Sequence, residues 1–154
     1  MRFVCDDHLG KLARLLRTLG FDTLWVASGS DAEIVRASAS GRIFVSRDRR
    51  WQEKTLPEPT VVVGASDPCD QLREVVAACH LDINADALFT RCTVCNSVTE
   101  PVAKASVEAR LPPYVRKTID RFRICPGCDR IYWEGTHVTA IRGRLAAQGF
   151  LKTA

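Results

Sequence analysis

The chain of 154 residues has little of what several common protein classes need. No apolar run approaches the ~20 residues of a membrane-spanning helix, which argues against a helical membrane protein. No internal repeat and no low-complexity tract occurs, so neither a solenoid nor a disordered linker is expected. Met1 to Asp6 lead straight into a strand-like segment without an apolar signal region, so the expected address is the cytoplasm. There are only three histidines, none in a site-like pattern. His8 is expected at an exposed helix start, and His80 at a helix end where positive charge suits the dipole. His137 is a spare beside four better metal ligands.

What is present is a hydrophobic content of 46% and a net charge of +4. That suffices for one core and a small metal-held appendage. The charge is uneven. In residues 1–80 eleven Lys/Arg balance eleven Asp/Glu, whereas in 81–154 eleven face seven. A basic second half suits a polyanionic partner, although an ordinary soluble surface has the same balance.

Two matched thiol pairs, Cys92/Cys95 and Cys125/Cys128, organise that second half. Each two-residue spacing turns both sulfurs toward one point, and four thiolates close a tetrahedral shell around Zn²⁺. The alternatives are two disulfides or a redox pair, which a reducing compartment disfavours. Four protein ligands leave no open position, so the zinc is structural and the chemistry has to come from elsewhere. Cys5 is expected in the core, and Cys69 and Cys79 have no partner pattern.

Residues 1–82 alternate strand and helix patterns, which implies a parallel sheet covered on both faces. Strands are expected at Arg2–Asp6, Asp22–Ala27, Arg42–Ser46 and Thr60–Gly64. Helices are expected from His8 to Leu19, from the capping box Ser30/Glu33 to about Ser40, and from Asp67 to about Cys79. Residues 83–154 are expected to form a small zinc ribbon with a short basic helix between the thiol pairs and a last helix from His137 to Gln148.

Ligands of an open parallel sheet bind beyond the carboxyl ends of its strands. That rule places Asp6, Asp31, Asp48 and Asp67 at one edge and Asp22 at the other, as a turn or capping residue. Converging carboxylates repel unless a hard cation such as Mg²⁺ or Mn²⁺ joins them. Such a cation can activate water for phosphodiester hydrolysis without a covalent nucleophile. The bland alternative is that Asp31 and Asp67 cap helices while Asp48 pairs with Arg47 or Arg49.

Phe3 to Asp6 and Leu9 to Asp22, then Ser30 to Ile34, Gly41 to Arg49, Arg91 to Asn96, Cys125 to Cys128 and Ile131 to His137 together resemble the Mut-seven C-terminal ribonuclease family. The resemblance spans nearly the whole chain. It implies a PIN-like α/β domain with an appended zinc ribbon and metal-dependent RNA cleavage, with Asp6, Asp31 and Asp48 matching the family acids. The fourth acid has no firm match; Asp67 or Asp70 stands nearest by position. Asp7-His8 departs from the family pattern.

The resulting expectation is a Mg²⁺- or Mn²⁺-dependent ribonuclease acting on single-stranded RNA, with a homodimer left open. Arg47 and Arg49 flank Asp48 as candidate phosphate contacts, and Arg116 and Lys117 are candidates on the basic insert. Phe122 and Trp133 are expected in the ribbon core. Two other readings remain: a non-catalytic zinc-ribbon RNA adaptor, and a toxin-type PIN ribonuclease of a toxin–antitoxin pair. A receiver-type switch is disfavoured by the lack of a late strand-end lysine, and a DxD phosphatase by the sequence after Asp6.

Overall fold

The computed structural model describes residues 1–27 and 30–151. Strand β1, Arg2–Cys5, is buried on both sides: Phe3 and Cys5 enter one core and Val4 another. Such burial on both faces is what a central parallel strand requires. A 3₁₀ turn at Asp7–Leu9 leads into α1, Gly10–Thr18. Leu9, Leu12, Leu16 and Leu19 fall on one face and are at most 1% exposed. Gly20 ends the helix at φ +90°, and a β-carbon there would lie 2.5 Å from the Ala87 carbonyl oxygen. Backbone and packing both demand glycine at that point.

Strand β2 is Asp22–Trp25, and helix α2 is Asp31–Ala39. Ser30 caps α2 by accepting from the Glu33 amide, as the capping box predicts. Strands β3, Ile43–Ser46, and β4, Thr60–Val62, follow, and helix α3 is Pro68–Cys79. All four strands pair in parallel in the order β2-β1-β3-β4. Leu12 and Leu16 of α1 and Leu72 and Val75 of α3 share the core on one face of the sheet. Ile34 of α2 and Trp51 pack with Val4 and Phe44 on the other, Trp51 edge-on to Phe44 at 4.7 Å. The α/β sheet with helices on both faces is therefore present. Among the described residues no helix is long and apolar enough to cross a membrane.

The second unit is an antiparallel sheet in the order β5-β6-β7, from Glu100–Val102, Phe122–Ile124 and Ile131–Trp133. Helices α4, Lys104–Val107, and α5, Pro113–Thr118, lie between β5 and β6. Val107, Leu111 and Phe122 form its core with Trp133 packed on them, so these aromatics are structural as expected. Helix α6, Thr136–Ala147, follows β7. Its Leu145, with Phe150 just beyond it, is buried in the first core among residues of α1 and α3.

Polar contacts tie the first thiol pair to the edge strand β2. The Asn96 side chain accepts from the Thr23 amide at 3.0 Å and donates to Asp22 at 2.7 Å. Arg17 of α1 donates to the carbonyls of Thr23, Thr93 and Val94. These bonds satisfy an edge that would otherwise be open. Asp22 is held further by a two-pronged pair with Arg42, at 2.7 and 3.0 Å. The expected turn or capping aspartate is thus a clamp between two strands and the cysteine unit.

Burial pushes the Asp22 carboxyl up, but hydrogen bonds from Arg42 and Asn96 outweigh it and hold the group below its ordinary value. A depressed carboxyl stabilises the fold above the unfolded value near 3.9 and loses that contribution as pH falls through its lower folded value. Asp22→Asn is expected to cost about 1–3 kcal/mol at pH 7, because Arg42 is left with a weakened partner. The difference from wild type should shrink below about pH 4. Thermal unfolding followed across pH checks this, and parallel stability curves for the two proteins would remove Asp22 as an acid-sensitive clamp.

Candidate active site and cysteine knuckle

From β1 the chain passes first to β2 on one side and then to β3 on the other. The direction of winding therefore reverses between β1 and β3, the point at which open parallel sheets bind their ligands beyond the strand ends. Asp6 and Ser46 stand at that point. The Asp6 amide still donates to the Val45 carbonyl, extending the strand ladder by one bond. Its carboxylate, in a residue only 5% exposed, accepts through Oδ2 from the Ser46 hydroxyl and from the Arg47 amide at 3.3 Å. Its other oxygen, Oδ1, is buried and is the one such side-chain atom without a hydrogen-bond partner among the described residues. An unpaired buried carboxylate oxygen is costly and points to an absent ligand.

Asp48 opens the 3₁₀ turn Arg49–Glu53. It pairs with Arg50 rather than with Arg47 or Arg49, accepting from the Arg50 amide at 2.9 Å and from its guanidinium at 2.6 and 2.8 Å. That guanidinium, helped by the Arg50 amide, holds the Asp48 carboxyl below its ordinary value. Asp31 pairs with Lys54 at 2.5 Å. Lys54 also acts on Asp48, and Asp31 on Arg50, so the two acids belong to one charge network at this edge. Asp67 accepts from the amides of Cys69 and Asp70 and caps α3. The four acids are thus held separately. Among the described residues, only the cysteines gather three or more potential metal ligands into one group.

Arg47 reaches the Ser66 hydroxyl at 3.3 Å, while Arg49 is exposed. Arg116 and Lys117 are exposed on α5. Sequence reasoning passed over Ser46, Arg50 and Lys54. Ser46 had a legible signal, a hydroxyl closing an otherwise apolar strand. The partners of Asp48 and Asp31 had none, because Arg50 stands in a run of like residues and Lys54 is distant in sequence from Asp31.

The four cysteine sulfurs lie within 4.8 Å of one another, and all are free thiols. Cys92 and Cys128 approach to 3.5 Å, and Cys95 and Cys125 to 3.2 Å. These separations exclude disulfides, whose sulfurs stand about 2.05 Å apart. They are close to the spacing of about 3.8 Å that Zn–S bonds of about 2.3 Å set in a tetrahedron. The two turns share one construction. The amides of Asn96 and Asp129 donate to the carbonyls of Cys92 and Cys125, and both residues are left-handed, at φ 72° and 59°. His137 lies against Trp133, with ring centres 6.4 Å apart.

The thiols do not ionise alike. Hydrogen bonds to Ser97 lower Cys95 to about 6, whereas burial pushes Cys128 up to about 12. Burial opposes ionisation of Cys92, but hydrogen bonds from the Cys95 amide and the Tyr132 hydroxyl bring it down overall. Such a set favours partial ionisation until a cation joins it. The cluster fits one thiophilic ion.

A parallel sheet with a buried acid at its switch point and a four-thiol unit on its edge strand defines an α/β domain with a zinc-ribbon-like appendage. A family model described as the Mut7-C RNAse domain matches residues 1–145, and the chain belongs to that family. At that level it is a ribonuclease domain, with RNA as the implied substrate. No curated protein and no solved structure matches the chain.

Proposed function

We propose that the chain is a Mg²⁺- or Mn²⁺-dependent ribonuclease that hydrolyses single-stranded RNA at the switch point between β1 and β3. The observation that carries this reading is the unpartnered Oδ1 of Asp6, an oxygen donor of the kind hard cations take. Asp6 and Asp48 would hold the ion, with Asp31 and Asp67 completing its shell directly or through water. A divalent ion there supplies an activated water and countercharge for the leaving oxygen. Ser46 and the Arg47 amide occupy Oδ2 of the Asp6 carboxylate, which leaves the buried Oδ1 as the oxygen still without a partner. Arg50 and Lys54 neutralise Asp48 and Asp31 and have to yield when the ion binds. The Arg47 guanidinium would orient the scissile phosphate, with Arg49 beside it.

The cysteine knuckle would carry a structural Zn²⁺, and exposed Arg116 and Lys117 would add phosphate contacts. A PIN-like lineage belongs to the same proposal and is supported by the parallel sheet and its acidic edge. The free thiols suit a reducing compartment such as the cytoplasm.

A second reading has its own support. The Asp48–Arg50 and Asp31–Lys54 pairs are what a non-catalytic RNA adaptor would also contain. Cleavage of a labelled single-stranded RNA by purified protein, titrated with Mg²⁺ or Mn²⁺, separates the two. Asp48→Asn is expected to lower the rate at least a hundredfold with the melting temperature nearly unchanged. A wild type inert at every metal concentration would leave the adaptor.

A further inference from the structure

Next to Asp6 lies a cleft of about 490 Å³, lined by His8, Lys11, Arg14, Trp25, Arg47 and Ser66 among others. Three of these are permanent cations. Among the described residues no hydrogen bond or ion pair ties up the side chain of Lys11 or Arg14, and Arg47 spends one nitrogen on Ser66. The cleft's carboxylate, Asp7, lies 3.4 Å from His8. Unpaired cations facing one concavity repel each other and favour a polyanion.

Trp25 supplies the second feature. It is 43% exposed, yet its ring is fixed. The indole N–H donates to the Asp7 carbonyl at 3.2 Å, and a β-carbon on Gly10 would come within 3.0 Å of the ring. The first residue of α1 thus leaves room for the indole to lie close against the helix. An exposed tryptophan held in one position loses little freedom when a base stacks on it.

We propose that this cleft is a subsite for single-stranded RNA next to the cleavage point, with one unpaired base stacked on Trp25 and neighbouring phosphates held by Lys11 and Arg14. The subsite rests on the ribonuclease reading for its substrate, but its binding can be measured without cleavage. Because the base has to be unstacked from its neighbours, the cleft selects single strands over duplexes.

The test is fluorescence anisotropy with a short labelled single-stranded RNA, zinc retained and no Mg²⁺ or Mn²⁺ added, over a range of salt concentrations. Trp25→Ala is expected to weaken binding about tenfold or more, and Trp25→Phe much less. Lys11→Gln with Arg14→Gln should reduce the slope of log K against log salt by about 1.4, the share of two phosphates on a single strand. Duplex RNA of equal length should be insensitive to Trp25→Ala. Unchanged affinity and slope in these variants, with wild-type cleavage intact, would overturn the subsite and leave the nuclease standing. Loss of binding in the variants of a wild type that never cleaves would support the subsite and overturn the nuclease. Poly-glutamate competing as well as RNA would reduce the cleft to a general anion groove and end the proposal.

Discussion

Replacing Asp6 with Asn should abolish RNA cleavage while leaving the protein at least as stable as wild type. The loss expected in kcat is about a thousandfold, since the side chain would hold the ion that supplies water activation and countercharge. The stability follows from the burial of Oδ1 without a partner. Asn keeps an oxygen to accept from Ser46 and the Arg47 amide, and it removes a charge whose burial is unfavourable. A purely structural aspartate behaves in the opposite way, losing stability before activity. Cleavage rates and melting curves on one preparation check both halves. An unchanged rate would remove Asp6 from the mechanism, and a large fall in melting temperature would make its role architectural.

The second large effect concerns the cysteines. Cys125→Ser, or prolonged treatment with a strong chelator, is expected to unfold the β5-β6-β7 unit. Structural zinc contributes about 10–16 kcal/mol in small finger peptides, far more than Val107, Leu111, Phe122 and their few neighbours supply. The melting temperature should drop by about 10 °C or more, in steps if the parallel sheet outlasts the ribbon. Metal analysis should find one zinc per chain in wild type. A zinc-free protein that melts at the wild-type temperature would overturn the assignment.

The parallel half of the fold was legible because local rules and tertiary packing agree there. Leu9, Leu12, Leu16 and Leu19 keep helical spacing and are buried. Ser30 and Asp67 cap the helices they precede, and α3 starts at Pro68 as expected. The ribbon was less legible. Its strands are three residues each, too short for alternation to register; the short helix between the thiol pairs stops at Thr118, and Phe122 begins β6. The destination of α6 was hidden too, since a helix pattern does not say which core it joins.

Within the candidate site, strand-end position put Asp6 directly after β1, where its amide reaches the Val45 carbonyl. It said nothing of which cation each acid holds, because Lys54 meets Asp31 only through the fold. Arg17 and Asn96 also escaped notice. An arginine on an otherwise leucine-lined helix and an asparagine after a cysteine pair are both ordinary in sequence, and they gain meaning only when β2 lies between them.

That meeting at β2 has a cost when it fails. With the thiol turn in place, the main-chain groups of Thr23 are occupied by Asn96 and Arg17. An unfolded turn strips away the side chain that covers the Thr23 amide and exposes a margin bearing Leu24 and Trp25, which are already 36% and 43% exposed. Such a margin templates pairing with other chains. Metal starvation would therefore create a sticky seam as well as weaken one lobe, and the misassembled species would grow by adding strands beside β2.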